Sequence, residues 1–134
     1  MKFFHGCHDE DTIKQILKNG LRMNDGHYGV ALYASRNFDL ALTYTEDEQC
    51  NTHKELVLSF EIDDGDVLKL EYDQAARMCG RECNENVKFC IAKELKELQT
   101  YAFQNNIKFV EILYEDGMSE LVVYDVGNLH VQCI

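Results

Sequence analysis

The chain has 134 residues, 46% of them hydrophobic and 28% charged, a composition that suits one folded domain over residues 1–134 and excludes a disordered tail-like protein. Its 24 acidic against 13 basic side chains give a formal charge of −11, and no Lys/Arg cluster breaks that excess, so duplex nucleic acid is a poor partner and a basic surface a better one. No window approaches the roughly 20 apolar residues of a membrane span, residues 1–6 are too short and polar for a secretory signal, and the six cysteines suit free thiols in a reducing compartment; an intracellular, cytoplasmic protein is expected.

Residues 2–7 predict a first strand with Phe3, His5 and Cys7 on one face. Asp9 or Asp11 can cap a helix in which Ile13, Ile16, Leu17 and Leu21 follow helical spacing, closed by Asn19-Gly20. Residues 23–29 read as a mobile loop before a buried strand at 30–34, with Val30, Leu32 and Ala34 opposite Ala31, Tyr33 and Ser35. A second helix opens at Ser35 or Asn37 and turns Phe38, Ala41 and Leu42 inward. Strands at 55–62 and 67–70 flank Asp63-Asp64-Gly65-Asp66, which signals a hairpin. From about Asn86 to Gln104, Val87, Cys90, Ile91, Leu95, Leu98, Tyr101 and Ala102 form one stripe and predict the longer helix of the chain. Strands follow at 108–114, 120–125 and 130–134, the first pair turned by Glu115-Asp116-Gly117 and the second by residues 125–128. This order of elements describes an α+β domain with antiparallel sheets.

Two features invite a chemical explanation. His5, Cys7 and His8 lie close together and Cys79 and Cys83 are four apart, but paired C-x-x-C knuckles are lacking, so burial of thiols is expected and no metal. The strand at 120–124 is apolar on both faces, as a central strand should be, yet begins with Glu120 beside the small Ser119. Taken alone, such an acid is expected to be exposed at the element's end.

Phe4-His5-Gly6-Cys7, Ile16-Leu17-Lys18-Asn19-Gly20-Leu21-Arg22 and Tyr28-Gly29-Val30-Ala31-Leu32-Tyr33-Ala34, with Tyr44 beyond, resemble in order and spacing the donor-site half of the poly(ADP-ribose) polymerase catalytic domain. Met118-Ser119-Glu120-Leu121-Val122-Val123-Tyr124-Asp125 resembles that family's closing segment, and residues 50–109 follow the family only in their order of elements. The resemblance implies an ADP-ribosyltransferase-like fold of two packed, mainly antiparallel sheets with short flanking helices and one longer helix. It also implies a histidine–tyrosine–glutamate triad of His5, Tyr33 and Glu120 acting on NAD as substrate, without a metal. By resemblance, His5 would bond the adenosine ribose and the Gly6 backbone would pair with the nicotinamide carboxamide. Tyr33 and Tyr44 would stack on the two faces of the nicotinamide ring, Arg22 would reach the adenosine or pyrophosphate side, and Glu120 would bind the 2′-hydroxyl of the nicotinamide ribose.

Three positions depart from the family pattern: Cys7 replaces a serine, Ala31 a glycine, and Leu40 or Ala41 a serine that bonds the carboxamide. Each residue alone also has a plain structural explanation: a core histidine, packing tyrosines, a helix-capping glycine, a solvated arginine. Their joint order is what separate explanations leave unexplained. The expected activity is transfer of single ADP-ribose units, because the compact chain lacks segments for elongation. The expected acceptor is a protein, with a nucleic acid or small molecule as alternatives, and toxin-like action suits so small a domain. The rivals are a noncatalytic NAD or ADP-ribose-binding module, an NAD-dependent RNA 2′-phosphotransferase on the same scaffold, and an acidic interaction protein using no nucleotide.

Overall fold

A computed structural model describes residues 1–82 and 87–134. The expectations that fall on Cys83 and Asn86 lie outside these described residues. Strand β1 (Lys2–Gly6) leads into helix α1 (Glu10–Asn19), where the Asp9 carboxylate accepts from the Thr12 amide at 2.8 Å and Gly20, at φ 89°, ends the helix. Both caps are those the local residue types favour.

Strands β2 (Asn24–Gly26) and β3 (Gly29–Ala34) then form an antiparallel pair where a mobile loop was expected. The cause is tertiary: Tyr28 is wholly buried, its amide donates to the Tyr33 hydroxyl at 3.0 Å, and the His27 carbonyl accepts from Leu95 at 2.7 Å. The turn's polar backbone is thus satisfied by a side chain of the next strand and by a backbone amide distant in sequence. Helix α2 (Phe38–Thr43) follows, burying Leu40 and Ala41.

Strands β4 (Val57–Glu61) and β5 (Val67–Glu71) are not a hairpin. A tight hairpin needs positive φ in its turn, and Gly65 is not among the residues that adopt it. The Asp63 carboxylate instead accepts from the Gly65 amide, making a short 3-10 turn that carries the chain from one sheet to the other. Helix α3 (Tyr72–Met78) and helix α4 (Glu97–Gln104) come next. The longer helix expected from about residue 86 is therefore corrected to its last two turns, with a short 3-10 turn at Phe89–Ile91 before it. Residues 93–95 use their backbone elsewhere: Lys93 bonds the Tyr72 hydroxyl through both its amide and its carbonyl, the Glu94 carbonyl accepts from Arg81, and Leu95 donates to His27. Those bonds replace the helical ladder.

Strands β6 (Phe109–Leu113) and β7 (Ser119–Val123) form the expected hairpin, with Gly117 at φ 80° in its turn. Strand β8 (Gln132–Cys133), expected to pair back onto β7, pairs with β4 instead. The result is an α+β structure with two sheets: three antiparallel strands in the order β1-β4-β8, and five in the order β2-β3-β7-β6-β5, where only β5–β6 is parallel. Phe3 and Phe60 of the first sheet pack on Leu32, Leu121 and Val123 of the second. On the opposite face of the larger sheet, Ala75, Leu98 and Ala102 of the helices cover Val110, Ile112 and Val122. All of β7 is buried, which is why its side chains are apolar wherever they do not serve another purpose.

Candidate active site

One edge of β3 is shared by two strands. β2 pairs along Gly29, Val30 and Ala31, and further on Ser35 exchanges two backbone hydrogen bonds with Phe4 of β1, at 2.7 and 2.9 Å. Tyr33 lies between, where β1 and β3 part. Backbone groups of an antiparallel strand point alternately to its two sides. Phe4 points toward Ser35 and the Cys7 amide donates to Leu56 at 2.8 Å on the other side. By that alternation the N–H and C=O of Gly6 project into the gap.

His5 bridges the gap. Its Nδ1 donates to the Tyr33 carbonyl at 2.7 Å, a bond that fixes the tautomer and leaves Nε2 free to accept. Burial pushes the His5 pKa below its ordinary value, with the hydrogen bond to Tyr33 opposing, so the neutral ring is favoured. Gly6 serves packing as well: a Cβ there would run into the Ala41 carbonyl and lie 3.1 Å from the Tyr44 Cβ. Its absence lets the end of α2 bring Tyr44 against β1.

Tyr33 is half-buried, and its hydroxyl both accepts from the Tyr28 amide at 3.0 Å and donates to the Gly29 carbonyl at 2.5 Å. A side chain at Gly26 would stand 2.5 Å from the Tyr33 ring, so glycine is required for the ring's placement. Glu120, expected at an exposed strand end, is only 5% exposed. The Tyr44 hydroxyl donates to its Oε2 at 3.0 Å. Burial pushes the Glu120 carboxyl up to about 7, against the opposing hydrogen bonds of Tyr44 and Tyr114.

The start of β7 is anchored on the sheet's other face. Arg36 grips the buried Glu111 with two bonds of 2.5 and 2.6 Å, the Ser119 hydroxyl donates to the same carboxylate at 2.9 Å, and Ser35 donates to the Ser119 carbonyl at 2.6 Å. These bonds hold the residue immediately before Glu120.

His5, Gly6, Tyr33, Tyr44 and Glu120 thus line one cleft of about 670 Å³. No family model matches the chain, and no curated protein does. A solved structure described as the crystal structure of an anti-CRISPR protein is similar at 17% identity, over 100% of this chain and 95% of its own, with a TM-score of 0.47.

Arg22 is not brought to the cleft: Leu21 turns into the core and Arg22 faces solvent. The basic groups among the described lining residues are His5, His8 and His27, with no lysine or arginine. Cys7 lies against the same cleft, but burial first and then Asp9 push its thiol up to about 11, which disfavours the reactive thiolate. Among the described residues no group of three or more His, Cys, Asp or Glu is arranged to hold a metal. A second cleft of about 670 Å³, lined by Asp63, Asp66, Lys108 and Asp125, contains none of the candidate catalytic or NAD-binding residues.

Sequence reasoning missed Tyr28, Phe89 and Tyr114. Tyr114 had a usable signal: the hairpin register that pairs Ile112 with Glu120 places the residue two positions after Ile112 on the same sheet face as the acid. Tyr28 and Phe89 had none, because each reaches the site through a fold of the chain that local spacing does not encode.

Proposed function

We propose that the protein is an NAD-dependent ADP-ribosyltransferase with an ADP-ribosyltransferase-like fold, transferring single ADP-ribose units to a protein acceptor. The observation that carries this reading is the convergence of His5, Tyr33, Tyr44 and Glu120 on one cleft beside the open backbone of Gly6. A primary carboxamide both donates and accepts, and so complements the N–H and C=O of a single residue at a parted strand edge. The rings of Tyr33 and Tyr44 offer flat faces to a flat heterocycle. The Nε2 of neutral His5 accepts a ribose hydroxyl.

Glu120 accounts for the chemistry. As the bond to nicotinamide weakens, the leaving ring becomes neutral and positive charge develops on the sugar. An ionised carboxylate held at the ribose 2′-hydroxyl stabilises that charge more than the ground state, the requirement for acceleration. Burial strengthens this interaction, and a carboxyl that titrates at about 7 supplies the ionised form from neutrality upward. The acidic excess of the chain favours a basic acceptor surface over a phosphate backbone. No helix among the described residues is long and apolar enough to cross a membrane.

The test is incubation with labelled NAD. Nicotinamide release by the native protein and its loss in Glu120→Gln support the enzyme. Binding of NAD without release in the native protein supports the noncatalytic module, which Ala31 and Ala41, lacking the family's glycine and serine, would suit.

A further inference from the structure

Strand β3 changes partners at its end. Its ladder with β7 pairs Leu32 with Val123, Tyr33 with Val122 and Ala34 with Leu121, and one further step would pair Ser35 with Glu120. The Ser35 backbone turns to β1 instead: its amide donates to the Phe4 carbonyl at 2.9 Å and its carbonyl accepts from the Phe4 amide at 2.7 Å. Strand β7 meanwhile runs on beside β6 as far as Ser119. The Ser119 backbone is met by side chains from the link after β3. The Ser35 hydroxyl donates to its carbonyl at 2.6 Å, and Asn37 Oδ1 accepts from its amide at 3.1 Å. A carbonyl oxygen only accepts and an amide N–H only donates, so the groups themselves fix the direction of both bonds.

Asn37 is the N-cap of α2, the place where an asparagine ordinarily accepts from an amide of the first helical turn. Its side chain makes no such bond, and its oxygen faces β7. The Ser35 oxygen accepts from the Asn37 amide at 3.0 Å, and for its proton the Ser119 carbonyl at 2.6 Å is a nearer acceptor than Asn37 Oδ1 at 3.3 Å. Ser35 is wholly buried and Ser119 is 4% exposed, so water is poorly placed to replace these bonds. The Glu111 carboxylate holds the Ser119 hydroxyl; Ser35 and Asn37 hold its backbone.

Phe4 adjoins His5, and Ser119 adjoins Glu120. Ser35 therefore meets the strand of the histidine through its backbone and the strand of the acid through its side chain. We propose that Ser35 and Asn37 are positioning residues whose side chains seat the Ser119 backbone and so set Glu120 against His5 across the cleft. This rests on the assignment of Glu120 as the carboxylate that engages the ribose. A small displacement of that carboxylate weakens its hold on the charge developing in the transition state, while His5, Gly6 and the tyrosine rings still bind NAD. The loss then falls on kcat.

The experiment measures nicotinamide release by the native protein, Ser35→Ala, Asn37→Ala and Asn37→Asp, each shown by circular dichroism to be folded under the assay conditions. Both alanine variants should lose about tenfold or more in kcat with KM for NAD changed by less than about twofold. Asn37→Asp keeps an acceptor oxygen for the Ser119 amide and should restore most of the loss. A native kcat in the alanine variants, a loss confined to KM, or an Asn37→Asp no better than Asn37→Ala overturns the proposal. Carbon-13 NMR of the Glu120 carboxyl, assigned with Glu120→Gln, separates this outcome from failure of the NAD reading. If the native protein releases no nicotinamide, a carboxyl resonance displaced in Asn37→Ala and returned in Asn37→Asp leaves the positioning role standing while the NAD reading falls. A resonance unmoved in Asn37→Ala overturns the positioning role itself. Should Ser35→Ala not fold, the Asn37 pair decides, since that side chain is half-buried and caps no helix.

Discussion

Glu120→Gln should stabilise the fold, and by an amount that grows with pH. The carboxyl titrates at 4.5 in an unfolded chain and at about 7 when buried. Between those values the folded protein holds a proton that the unfolded chain has released, so stability falls as the pH rises through the interval. Below the unfolded value the neutral acid costs nothing of this kind; above the folded value the whole cost is present. At about 1.4 kcal/mol per unit the interval amounts to roughly 3 kcal/mol. Glutamine has no such titration, although its amide brings donors that the tyrosine hydroxyls must accommodate. That fit is the same at every pH and cancels when the difference between the two proteins at pH 8 is compared with that at pH 4.5. Urea unfolding of both proteins at several pH values measures the quantity directly. The stability advantage of Glu120→Gln should widen by roughly 3 kcal/mol over the range, most of it between pH 5 and 7. Curves that run parallel from pH 4.5 to 8 would refute the view that Glu120 is a charge held against the cost of burial.

Glu111→Ala removes the buried partner of Arg36 and the acceptor of Ser119; because Arg36 retains 30% exposure and can be rehydrated, a loss of about 2 kcal/mol is expected in urea melts at pH 7, below that of a fully buried pair. Gly26→Ala places a methyl 2.5 Å from the Tyr33 ring, and displacing that ring should raise KM for NAD by about tenfold or more. In timed alkylation read by peptide mass spectrometry, exposed Cys50, Cys90 and Cys133 should react well before Cys7, whose buried thiol is pushed up to about 11. A nicotinamide analogue should slow only Cys90 among the exposed three, since it lines the cleft.

Apart from β2, whose residues read as a loop, the strands were legible because alternation and glycine turns report local physics. Asp116-Gly117 signals a hairpin and makes one, with Gly117 in the left-handed region. Asp64-Gly65 carries the same letters and does not, because the Asp63 carboxylate captures the Gly65 amide and β4 finds its partners in β1 and β8. The stripe from Val87 to Ala102 has helical spacing, but spacing is blind to the Tyr72, Arg81 and His27 groups that claim the backbone of residues 93–95. At the site, the residue types and their order pointed to His5, Tyr33, Tyr44 and Glu120. They did not reveal that Glu120 is buried, because a carboxylate at the end of a strand is normally hydrated. Arg22 stands outside the residues that line the cleft because its neighbour Leu21 packs against the core and leaves the arginine exposed.

The missing rung between β1 and β3 has a mechanical side. In hydrogen bonding the two sheets are tied there by the Phe4–Ser35 bridge, and a ladder interrupted after one tie flexes more readily than a continuous one. An occupant spanning Gly6 and Tyr33 would brace that joint and tether the N-terminal strand to the larger sheet. Occupancy would then stiffen the amino end of the chain, far in sequence from Glu120, and slower amide exchange in β1 would report a filled cleft even when no bond is broken.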